Sequence, residues 1–70
     1  MDLPAPGTAV EVRYRVNGPW EPAAVTGAVT MPGGRRGLKV ALAAEPARHY
    51  AGLLPASERP WFCWRLPVQP

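Results

Sequence analysis

The chain has 70 residues, a formal net charge of +3, 47% hydrophobic residues and a single cysteine. A chain this short makes one small domain, and a lone Cys63 excludes an internal disulfide. With His49 as the only histidine, no Cys/His set with zinc spacing exists either. Ten prolines and seven glycines are spread along the chain. Each proline in a helix interior costs about 3 kcal/mol, so few windows remain in which a helix can form. No apolar run approaches the roughly 20 residues that a spanning helix needs. Met1-Asp2-Leu3-Pro4 is unlike a basic, apolar export signal, and a free thiol fits a reducing compartment. A soluble, cytoplasmic protein is the expectation.

In chain order, residues 1–8 form a lead-in. Ala9 to Val16 then alternates without error: Val10, Val12, Tyr14 and Val16 share one face, and Glu11, Arg13 and Arg15 the other. Asn17-Gly18-Pro19 follows as a hairpin turn. Trp20 to Thr30 reads as a second, longer strand, with Pro22 at an edge or bulge and Gly27 at a bend that lets the strand serve two sheet faces. Met31-Pro32-Gly33-Gly34-Arg35-Arg36-Gly37 is a turn or loop carrying adjacent positive charges. Leu38 to Ala43 alternates again, with Leu38, Val40 and Leu42 inward.

Residues 46–54 admit two readings, a short helix with proline in its first turn or a fourth strand around His49 to Leu53. Pro55 to Pro60 is a loop with room for a 3₁₀ turn. Trp61 to Leu66 reads as the last strand, with Phe62, Trp64 and Leu66 inward and Trp61, Cys63 and Arg65 outward. Five short strands with tight connections, expected all-β, predict a small five-stranded SH3-like barrel with a short 3₁₀ or helical turn near residues 46–58. Closing the sheet removes exposed edges that a chain this short has little else to protect. The domain is expected over 1–70, with 68–70 as a tail. Its predicted core is Val10, Val12, Tyr14, Val25, Val40, Leu42 and Trp64.

Gly7, Val10-Glu11-Val12, Trp20, Ala23-Ala24-Val25 and, more loosely, Trp64-Arg65-Leu66-Pro67 together resemble the layout of Tudor and Agenet-type SH3-like barrels. That resemblance covers most of the chain in layout and few positions in identity. It implies a non-catalytic interaction module with no cofactor, whose partners are peptide tails, other proteins or nucleic acid. The aromatic cage of methyl-lysine readers has no residue-by-residue counterpart here. The Ala-, Arg- and Pro-rich usage is similar to that of high-GC bacterial or phage proteins. Trp20 to Gly27 and the Tyr50 region also resemble plasmid-borne dihydrofolate reductases built on an SH3-like barrel, which would be active only as an oligomer; their Gln-Ile-Tyr element is absent.

Two sets of residues carry the functional expectation. Trp20, Glu21, Tyr50 and Trp61 form the candidate surface for a protein or peptide partner: aromatic faces beside a carboxylate, at strand margins next to prolines. The competing reading is that large aromatics simply fill the core, and it applies best to Tyr14, Phe62 and Trp64. Arg13, Arg15, Arg35, Arg36 and Lys39 form the alternative, a basic stripe for nucleic acid, provided that the first and third strands approach one another. Catalysis has little to build on. Asp2, Glu11, Glu21, Glu45 and Glu58 are scattered, and no local signature makes Ser57 or Cys63 a nucleophile beside His49. The expectation is therefore a non-enzymatic module binding protein or peptide, with no metal and no membrane contact. A homo-oligomer that buries surplus aromatics is also consistent with the composition.

Overall fold

The computed structural model describes residues 3–67; the first two residues of the lead-in and the whole tail 68–70 lie outside the described residues. The protein is all-β. Its strands are β1 (Ala9–Arg13), β2 (Glu21–Thr30), β3 (Arg36–Leu42), β4 (His49–Pro55) and β5 (Cys63–Arg65). They close into a barrel in the order β1-β2-β3-β4-β5, compatible with an SH3-like fold. Every neighbouring pair is antiparallel except β4–β5, a parallel contact of two residue pairs, Leu54 with Cys63 and Pro55 with Trp64. No described helix is long and apolar enough to cross a membrane.

The alternation in β1 sets the core as expected. Val10 and Val12 are buried and Glu11 and Arg13 face outward, joined inside by Val25, Val40, Leu42 and Trp64 and by Ala23, Leu38 and Leu53. Tyr14 is only half-buried, packed against the edge of this cluster. The regular strand stops at Arg13, because the chain turns over Arg15 to Gly18, with Gly18 N donating to Arg15 O at 3.0 Å and Asn17 at φ 57°. Val16 therefore lies outside the core, 64% exposed, and the connection is longer than a two-residue hairpin.

Two one-residue bulges bend the sheet enough to close it. In β2 the register passes from Val25 opposite Val40 to Gly27 opposite Lys39, so Thr26 is the extra residue, next to the glycine expected to mark a bend. In β4 the extra residue is Gly52, at φ +89°, between Ala51 opposite Lys39 and Leu53 opposite Leu38. Gly52 approaches Gly37 of β3 so closely that a Cβ on Gly37 would sit 2.6 Å from the Gly52 Cα and 2.8 Å from Met31 Sδ. Residues 49–55 are thus strand, not helix. The one 3₁₀ turn among the described residues is Pro32–Gly34, while 46–58 carries hydrogen-bonded turns at Glu45–Arg48 and Pro55–Arg59.

The last strand is shorter than its alternation suggests. Phe62 adopts φ +51°, so extended structure begins only at Cys63 and ends at Arg65. Leu66, expected inward, is 60% exposed, because the chain has left the ladder before reaching it. Trp61, expected outward, is exposed at 44%. Cys63 is fully buried on the side of β5 opposite Trp64, beneath Arg13, its register partner on β1.

Two substitutions check this packing by denaturant unfolding. Gly37→Ala should cost about 1–3 kcal/mol, since backbone must move to admit the methyl group. Gly27→Ala, whose Cβ would meet only Lys39 Cδ at 3.9 Å, should cost less than about 1 kcal/mol. Equal losses at both positions would show that the close approach of β3 and β4 is wrong.

Candidate functional site

The aromatic residues gather at one end of the barrel for a reason set by register. Side chains directly opposite one another across a ladder point to the same face. Val12 is opposite Glu21, and Val40 is opposite Tyr50, so Glu21 and Tyr50 continue the inward faces of their strands to the rim. Tyr14, two residues beyond Val12, does the same just past the end of β1. Phe62 joins them from the connection into β5. Tyr14, Tyr50 and Phe62 are half-buried and pack against the core cluster, capping it.

The rings form a continuous series. Tyr14 and Tyr50 stack with centroids 4.7 Å apart and planes at 16°. Phe62 meets Tyr50 edge-to-face at 6.1 Å, and Trp61 meets Phe62 at 6.3 Å and 71°. The positive φ of Phe62 breaks the alternation that would have put Trp61 and Phe62 on opposite faces, and so lets both contribute to one ledge. Such a φ is uncommon for a bulky residue.

Charges around the ledge are balanced. The Glu21 carboxylate beside Tyr14 holds the phenol above its ordinary pKa, chiefly by favouring its protonated, hydrogen-bonding form. The Arg15 guanidinium lies 5.3 Å from the Tyr14 ring centroid. Arg48 is paired with Glu45 at 3.3 Å, and chiefly that carboxylate holds its guanidinium charged. Two acids thus face two bases across the aromatic end.

Trp20 lies elsewhere. It is half-buried, with the guanidinium carbons of Arg13 and Arg65 at 4.6 and 3.9 Å from its ring centroid. Arg65 also donates to Glu11 at 2.7 Å, its direct register partner across β1 and β5. Of the residues singled out for a partner, the structure brings Glu21, Tyr50 and Trp61 to one end and leaves Trp20 on the outer wall. The candidate basic residues do not form one stripe. β2 stands between β1 and β3, separating Arg13 and Arg15 from Arg36 and Lys39, and Arg35 is paired with Glu58.

Tyr14 and Phe62 were expected as core and turn out to belong to the ledge as well. The signal for Tyr14 is its place on the inward face two residues past the last buried valine. Nothing local signals Phe62. Arg59 and Arg65, outside both candidate sets, gather near Arg13. A hollow of about 380 Å³ opens away from the ledge, lined by Leu3 to Pro6, Gly27, Ala28 and Arg36. Among the described residues no group of three or more His, Cys, Asp or Glu side chains is placed to hold a metal ion.

Compared with protein-family models, curated proteins and solved structures, the chain matches none. What it does has to be read from its own geometry.

The Tyr14–Glu21 contact is checked by spectrophotometric titration of the tyrosines in a Tyr50→Phe background. The carboxylate disfavours the phenolate, so Glu21→Gln should move the Tyr14 midpoint down toward about 10. The bond's contribution to stability is complete below that pH and is lost as pH rises through the raised folded value. An unchanged midpoint would separate the two side chains.

Proposed function

We propose that the protein is a non-catalytic interaction module that binds an extended segment of a partner protein on the aromatic end of its barrel. The observation that carries this reading is the continuous ledge of Tyr14, Tyr50, Phe62 and Trp61, closed at its outer end by a tryptophan 44% exposed. Aromatic faces offer large contact area at low conformational cost, and an exposed tryptophan at a rim is a frequent energetic anchor. The sequence's resemblance in layout to Tudor and Agenet-type barrels supports a binding role rather than catalysis.

Ring geometry narrows the ligand class. A cage for a methylated cation needs separate faces directed at one centre. Tyr14 and Tyr50, stacked at 4.7 Å, leave no space between them for a cation. A ledge of stacked and edge-to-face rings suits instead the flat, apolar surface of an extended or proline-containing peptide. Charge balance around it argues in the same direction. Nucleic acid would be met by an excess of cations along a track, whereas Arg35, Arg48 and Arg65 are each paired with a carboxylate.

Trp61→Ala tests this reading. The variant should keep its thermal midpoint within a few degrees, because the side chain packs mainly on Phe62 at the surface. Its affinity for peptides selected on the native protein from a displayed random library should fall about tenfold or more. A large fall in midpoint would make Trp61 part of the core and move the binding surface elsewhere.

A further inference from the structure

Arg13 and Arg59 have no carboxylate partner among the described residues, unlike Arg35, Arg48 and Arg65. Their chain segments meet. Arg13 Nη1 donates to the carbonyl of Pro60 at 3.3 Å, the residue that follows Arg59. Both guanidinium charges, with Arg65, reach the Cys63 thiol and pull its pKa down against the larger upward effect of burial. Arg13 is also held in place. It is half-buried, its Cζ lies 4.6 Å from the Trp20 ring, and its Nε is buried with no acceptor among the described residues. Against three guanidiniums this wall sets one carboxylate, Glu11, already engaged by Arg65.

Like charges brought together on a half-buried wall cost free energy that an incoming anion relieves. The Arg13 side chain is already ordered by the indole and the Pro60 carbonyl, so little further ordering is required when an anion arrives. The site also adjoins the ledge along two segments of chain. Tyr14 follows Arg13, and Trp61 is two residues past Arg59.

We infer that Arg13 and Arg59 form an oxyanion subsite, framed by Trp20 and the Pro60 carbonyl, that receives an Asp or Glu carboxylate of the segment lying on the ledge. The inference rests on the ledge being the peptide site. A single carboxylate fits better than a phosphate chain. Of the other cations without a carboxylate partner among the described residues, Arg15 lies over the Tyr14 ring beside Glu21, and Arg36 and Lys39 are on β3, with β2 between them and this wall, so no continuous track for successive phosphates is offered.

The experiment selects peptides from a displayed random library on the full chain, then measures affinities of a selected peptide and of its Asp→Asn or Glu→Gln counterpart. Selected sequences should carry an aromatic or proline anchor with an acidic residue at constant spacing. Arg59→Gln, which lies outside every strand, and Arg13→Gln should each weaken the acidic peptide about tenfold and leave the amide peptide nearly unchanged. Trp61→Ala should weaken both peptides alike. Selected peptides without an acidic position, or equal losses for acid and amide in the arginine variants, would overturn the subsite while leaving the ledge intact. Indifference of both peptides to Trp61→Ala would overturn the ledge reading itself. A twelve-residue oligothymidine that binds through the same arginines with a steep salt slope would assign the wall to phosphates and overturn the carboxylate.

Discussion

Closure of the barrel through β5 is the constraint on which everything else depends. This strand has three residues, yet it pairs with β1 through Glu11–Arg65, Val12–Trp64 and Arg13–Cys63, and with β4 through two further pairs. Without it β1 and β4 would be open edges, and Val12 and Leu53 would lose their cover. A chain of this size buries only about 60% of its unfolded surface, so it has little margin for an uncovered sheet. Arg65 fastens the same seam from outside by donating to Glu11, a part-buried pair between direct register neighbours. Closure also requires curvature, and the bulges at Thr26 and Gly52 supply it.

Capping the core and building the ledge are one event. A barrel this narrow has open ends where the last inward-facing side chains meet water. At one end those side chains are Tyr14, Tyr50 and Phe62, each half in the core and half outside. Their buried edges contribute to stability, and their free faces, extended by Trp61, are the contact area of the proposed binding surface. The core and surface readings of these aromatics are therefore not exclusive. Residues at an end of the barrel satisfy both, and only the outermost ring, Trp61, is separable from the fold.

Much of this fold is legible in the sequence, because β1, β3 and the long β2 alternate strongly enough for burial of one face to decide register. Val10, Val12, Val25, Val40, Leu42 and Trp64 are buried as their positions imply, and Gly27 sits at the bend it was expected to mark. Legibility fails where tertiary geometry overrides local pattern. Phe62 and Leu66 belong to a perfect alternation, but seating Trp64 opposite Val12 while keeping β4 and β5 parallel forces a left-handed residue before Cys63 and an early exit after Arg65. The site is harder to read for the same reason. Tyr14, Tyr50 and Phe62 are far apart in the chain and meet only through closure. Arg13 meets the segment of Arg59 only because the β4–β5 connection passes the end of β1, where the Pro60 carbonyl accepts from Arg13.

Division of charge over the surface follows from these strand positions and bears on specificity. At the aromatic end Glu21 and Glu45 offset Arg15 and Arg48, so the proposed neutral, apolar segment would not be repelled, and its affinity there would come from area rather than from Coulomb attraction. On the adjoining wall three arginines stand against Glu11 alone, and the stacking of Arg13 and Arg65 on Trp20 keeps their guanidiniums from spreading into solvent. A rigid cation beside a neutral aromatic surface discriminates by position: an acidic residue gains only if it falls at the right distance from the anchor, and a misplaced one gains nothing. A uniformly basic barrel would bind any polyanion. Pairing Arg35, Arg48 and Arg65 with carboxylates lowers that general attraction and leaves the local one, as the proposed selection of one extended segment from many would require.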